Sequence, residues 1–143
     1  METKLSIASL LLRFGLGATF LSAVAGRFGW WKDSSGWDGF LEYTASVNSF
    51  APEGIISFLA MSATVLEIII GILLIIGYKT RWAALGAALL TLVFALTMAY
   101  SFGLKSPLDY SVFVDCTAAF LLACIPNYKW SIDKALNKQS FNS

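Results

Sequence analysis

Histidine is absent from all 143 residues. Without an imidazole there is no His-ligated haem, no ordinary zinc or copper site, and no serine–histidine or cysteine–histidine nucleophile. Charge is scarce as well. Only 13% of the residues are charged, against about 25% in soluble domains. Ten basic and nine acidic residues nearly cancel, and the basic ones form no cluster, so nothing favours nucleic acid as a partner. Cysteine occurs twice, at Cys116 and Cys124. On one predicted helix the two are about 12 Å apart, whereas a disulfide needs Cα atoms within about 7 Å. They read as small apolar residues of a membrane helix, with an intermolecular redox partner as the alternative.

What the chain has in abundance is apolar side chains, 57% of its residues. They fall into four runs, 5–25, 55–76, 82–102 and 108–125. Each is near the ~20 residues with which a helix crosses a ~30 Å hydrocarbon core. An outer loop (26–54) separates the first two runs, and a polar tail (126–143) follows the last. These features predict one integral membrane domain over 1–143: an all-α, four-transmembrane-helix bundle in a lipid bilayer. Lys4 and an apolar run ending Ala23-Val24-Ala25 have the outline of a signal peptide. Arg13 would fall inside its apolar core, so the run is expected to be the first membrane helix.

Within the second run, from Ile55 to Ile76, the only ionisable side chain is Glu67. A carboxylate at hydrocarbon depth must face a protein interior, find a partner or carry a proton. Ala60, Ala63, Glu67 and Gly71 share one face of that helix. Ala18, Ser22 and Gly26, and likewise Ala87, Thr91, Ala95 and Ala99, recur every four residues. Such small-residue faces let helices approach closely, so Glu67 is expected to look inward. Arg13 is the other intramembrane charge. Counting from the ends of the two runs places Arg13 about 12 Å and Glu67 about 14 Å below one surface. Equal depth and opposite charge predict an Arg13–Glu67 pair. Asp115, inside the fourth run, is expected either near the interface or in the same inner polar network.

The outer loop carries Trp30, Trp31 and Trp37. Trp37, Phe40, Leu41, Thr44 and Val47, with Tyr43 at the margin, approximate a helical apolar stripe with Asp38, Glu42 and Ser46 opposite. That pattern predicts an amphipathic interfacial segment between helices 1 and 2, with a lid over the bundle mouth or a docking surface as sharper readings. Lys4, Lys79, Arg81, Lys129, Lys134 and Lys138 lie on one side of the predicted membrane, and Arg27, Lys32 and Lys105 on the other. The bias places both termini in the cytoplasm.

Helix 1 reads Leu12-Arg13-x3-Gly17-x2-Phe20 and continues to Arg27-Phe28. Helix 2 reads Glu67-x3-Gly71-x2-Leu74-x2-Gly77-x2-Thr80-Arg81, and Lys129-Trp130-Ser131-Ile132-Asp133 follows helix 4. Over nearly the whole chain these motifs resemble the DoxX family of small bacterial four-helix membrane proteins. The resemblance implies a bacterial inner-membrane location and a redox setting, since members are similar to the small membrane subunit of thiosulfate:quinone oxidoreductase. It maps the family's charged positions onto Arg13, Glu67 and Arg81, which makes Arg81 an additional candidate polar site beside Asp115 of the fourth run. Two functions follow. One is an accessory or scaffold subunit that contacts a membrane or periplasmic partner protein through the outer loop. The other is a quinone-interacting subunit whose inward carboxylate hydrogen-bonds the ring. A small-solute carrier working as a homo-oligomer comes third. No flavin or metal motif is evident, and quinone is the one cofactor these readings admit.

Overall fold

The apolar runs fold into helices because a chain in hydrocarbon must satisfy every backbone N–H and C=O internally. A computed structural model describes residues 2–140. Met1 and residues 141–143, the end of the expected polar tail, lie outside the described residues. In order the elements are α1 (Glu2–Arg27), α2 (Gly36–Val47), α3 (Glu53–Ile76), α4 (Thr80–Phe102), α5 (Lys105–Asp109), α6 (Val112–Cys124) and α7 (Ile132–Ser140). Three of them, α1, α3 and α4, are long and apolar enough to cross a membrane, with mean hydropathies of 1.7, 2.6 and 2.0. Leu11, Phe58, Leu89 and Leu96 stand exposed on their outer surfaces. Large apolar side chains facing outward suit lipid as the surrounding solvent.

Helix α1 packs against α3, α3 against α4, and α4 along α6, which returns to α1. Buried Leu16, Phe20, Ile70, Leu74 and Leu122 fill the centre, together with Ala84, Ala87 and Ala119. Of the expected small-residue faces, Ala87, Thr91 and Ala95 are buried on α4, as are Ala60, Glu67 and Gly71 on α3. The α1 face differs: Ala18 and Ser22 are exposed. The contact on that helix lies one residue, about 100°, around its axis, at Gly17. A Cβ added to Gly17 would sit 3.0 Å from the Gly71 carbonyl, and one on Gly71 would sit 3.3 Å from the Gly17 carbonyl. Here the two backbones meet directly.

The expected fourth helix, 108–125, is broken in two. The Tyr110 N–H closes α5 on the Ser106 carbonyl, and Ser111 then adopts a left-handed conformation (φ 56°, ψ 23°) before α6 begins. A left-handed residue cannot continue a right-handed helix. Helix α6 has 13 residues, about 20 Å of rise, and is short for a crossing by itself. The outer loop contains a helix over the apolar stripe. Helix α2 buries Thr44 and Val47 and lies across one end of the bundle against α1, α3 and α4.

Candidate functional site

Glu67, only 2% exposed, is held by Arg27, not Arg13. Arg27 Nη2 donates to Glu67 Oε1 at 2.8 Å and lies 2.7 Å from Oε2. Arg27 Nη1 donates to Thr64 Oγ1 at 2.8 Å, and that hydroxyl donates in turn to the Ala60 carbonyl at 2.8 Å. The Phe40 ring of α2 covers the guanidinium, 3.7 Å from its centre. The pair therefore carries a fork of charge-assisted bonds and an aromatic cap, the combination that compensates buried charge.

The expected Arg13–Glu67 pair is corrected by helix register. Gly17 opposite Gly71 places Arg13 opposite Ile75 and Glu67 opposite Leu21. Arg13 and Glu67 are thus separated by about 12 Å of helix rise. The depth count had aligned the ends of two runs, yet α1 continues well beyond the end of α3. Arg27 lies about 9 Å past Leu21, a gap that its long side chain bridges by folding back along the helix. Arg13, Leu16, Phe20, Val24 and Arg27 lie on one buried face of α1, so helical phase alone does not choose between the two arginines.

Arg13 serves the opposite end. Its Nε donates to the Leu74 carbonyl and its Nη2 to the Ile75 carbonyl, both at 3.0 Å. These belong to the last turn of α3, where carbonyls lack helical partners and the dipole is negative. Nη1 donates to the Trp130 carbonyl at 3.1 Å. Asp133 then accepts from the Lys79 and Thr80 amides at 2.7 and 2.8 Å, while its own N–H donates to the Gly77 carbonyl at 3.0 Å. Gly77 is left-handed (φ 70°), and a Cβ there would lie 2.6 Å from Arg13 Cζ and from Ser131 Cβ. The motif of residues 129–133 is thus a clasp that closes the α3–α4 end of the bundle. Arg81 sits exposed at this same end, away from Glu67, so it adds nothing to the inner polar site.

Beside the Arg27–Glu67 pair lies a cavity of about 440 Å³, bounded by α1, α2, α3, α4 and the α5–α6 segment. Phe20, Leu59, Leu66, Leu90, Phe94 and Met98 are among its apolar walls. Arg27, Glu67 and Asp115 also line it. Asp115 therefore borders the same cavity as Glu67. The break at Ser111 puts it in the first turn of α6, and among the described residues its carboxylate has no ion pair. Phe40, Tyr43 and Thr44 of α2 form the roof. Burial pushes the Tyr43 phenol above its ordinary pKa, with Tyr110 adding to the effect. The three loop tryptophans do not line the cavity. Trp37 packs on Phe40 with ring centres 5.8 Å apart, Trp31 Nε1 donates to the Ser22 carbonyl at 3.0 Å, and Trp30 is exposed. Cys116 Sγ donates to the Ala88 carbonyl and Cys124 is exposed; both are free thiols. Among the described residues no group of three His, Cys, Asp or Glu side chains could hold a metal ion.

Long apolar helices, a roofing amphipathic helix and a lined interior cavity define a small membrane protein of the helical-bundle class. The chain belongs to the DoxX family, whose model matches residues 8–100. The match runs from α1 into the last turns of α4 and leaves out α6 and the clasp, a narrower span than the motif resemblance. No curated protein matches the chain. No solved structure matches it.

Proposed function

We propose that this chain is a bacterial inner-membrane subunit that holds a quinone-type ring in the cavity beside Arg27 and Glu67. The observation that carries this reading is the cavity itself. Its volume is within the 300–1,000 Å³ typical of small-molecule sites, and its walls are mostly apolar with a few convergent polar groups. An intramembrane ion pair that lines open space, rather than packed side chains, is poised to meet a ligand. In this reading α5 and α6 together complete a fourth crossing, both termini face the cytoplasm, and α2 is an interfacial lid.

The accessory role and the ring-binding role then coincide. A subunit of this kind presents the ring to a redox partner protein in the membrane or periplasm, and the exposed Trp30 and Trp31 offer that partner a surface. Purification in mild detergent followed by solvent extraction and chromatography tests the reading. Quinone should co-purify in near-stoichiometric amount and fall at least tenfold for Glu67→Gln. A wild-type preparation without quinone, which also takes none up when it is supplied, overturns it.

A further inference from the structure

The cavity's polar atoms are not a balanced set. Four threonines line it, and each hydroxyl proton is already committed to a carbonyl of its own helix. Thr19 donates to Gly15 at 3.0 Å, Thr44 to Phe40 at 2.7 Å, Thr91 to Ala87 at 2.8 Å, and Thr97 to Phe94 at 3.0 Å. A hydroxyl bonded in this way offers a neighbour its lone pairs and no proton. The carboxylates add to the same side. Glu67 Oε2, buried, is close to Arg27 but receives no aligned hydrogen bond. Asp115, from the facing helix, receives none among the described residues. Arg27, the one cation lining the cavity among the described residues, is turned toward Thr64 and Glu67 with Phe40 over its face. The hydroxyls of Tyr43, Tyr110 and Ser62, and the Asn48 amide hydrogen not used on the Thr44 carbonyl, are donors on the wall, but acceptors outnumber them.

We propose that the cavity selects a ligand that donates hydrogen bonds, and therefore binds the dihydroxy, hydroquinone form of the ring more tightly than the quinone. Asp115 is the residue that decides the preference. A quinone presents two carbonyl acceptors, which can take protons only from those few donors and meet none at the threonine oxygens and carboxylates. A hydroquinone presents two hydroxyl protons to those same atoms. Leaving acceptors unmatched is the costlier arrangement where they are buried, as Glu67 and Thr91 are. This inference rests on the ring-binding reading above and adds its direction. Asp115 acts on ligand choice without being required for folding, since among the described residues no hydrogen bond or ion pair ties its carboxylate to the rest of the protein.

The test uses the full chain in lipid nanodiscs and two matched probes, a decyl-substituted benzoquinone and its chemically reduced hydroquinone kept under argon. Isothermal titration should show the hydroquinone binding about tenfold tighter, the effect of one added hydrogen bond of ordinary strength. Asp115→Asn, which replaces an acceptor oxygen with an amide donor, should weaken hydroquinone binding by roughly tenfold and leave the quinone unchanged or slightly tighter. Thermal unfolding of that variant should match the wild type. Equal binding of the two forms, or tighter binding of the quinone, overturns the preference while leaving ring binding intact. An Asp115→Asn variant that keeps the full hydroquinone preference removes Asp115 from the proposal. Failure of both probes to bind takes down the ring-binding reading, and the preference with it.

Discussion

Arg13 and Arg27 stand about four turns apart on one helix, both buried, and the protein uses them in opposite ways. Arg13 donates to backbone carbonyls of α3 and of the segment before α7, and is 1% exposed. Arg27 donates to side chains on α3 and borders a cavity. The first seals an end of the bundle; the second leaves a ligand-sized space next to a charge pair. A buried charge in a membrane helix is therefore not by itself a site. What distinguishes Arg27 is the open volume beside it, and what distinguishes Arg13 is that its donors converge on helix-end carbonyls.

The comparison breaks most severely at Arg27. Arg27→Leu leaves the Glu67 carboxylate buried without a partner, and should cost about 3–5 kcal/mol of stability. The double variant Arg27→Leu/Glu67→Leu should recover most of that loss, because two apolar side chains of similar volume replace a compensated pair. Thermal unfolding of the three proteins in one detergent measures the coupling. A double variant no more stable than Arg27→Leu would show that the two side chains do not depend on each other.

Arg13→Leu should have a smaller and differently placed effect. It removes donors from the Leu74, Ile75 and Trp130 carbonyls, the first two of which can relax toward water at the helix end, for a loss of about 2–3 kcal/mol. The consequence specific to the clasp is that residues 129–136 should become cleavable by protease, while binding of a ring ligand at the far end stays within about twofold of wild type. If ligand binding falls in parallel with tail release, the two ends are one cooperative unit and the division drawn between the arginines is wrong.

Much of this architecture was legible beforehand, and the part that was not has a definite cause. The apolar runs are visible because hydrocarbon imposes length and composition on each crossing. The stripe from Trp37 to Val47 is visible because α2 buries one side only. Glu67 was readable as inward-facing because it shares a helix face with Ala60 and Gly71. Its partner was not, because register between helices depends on where backbones touch, here Gly17 on Gly71, and run ends do not record that. Asp115 depended on the left-handed turn at Ser111, which a serine between tyrosine and valine does not announce. The tail motif looked polar and free because Asp133 finds its partners, the Lys79 and Thr80 amides, more than fifty residues away.

The finest test of the contrast is Phe40, the α2 side chain that caps Arg27 and has no counterpart at Arg13. A ring 3.7 Å from a guanidinium contributes about 0.5–2 kcal/mol, more when desolvated. Phe40→Leu keeps apolar volume and loses the ring, so the loss of stability should stay near the low end, about 0.5–1 kcal/mol. The effect should be local. Hydrogen exchange should quicken in α2, which also loses the Trp37–Phe40 contact, while amides around Gly77 and Asp133 keep their protection. If α2 stays as protected as in the wild type, its hold on the bundle comes from Thr44 and Val47 alone, and the lid is anchored by burial, not by the cation beneath it.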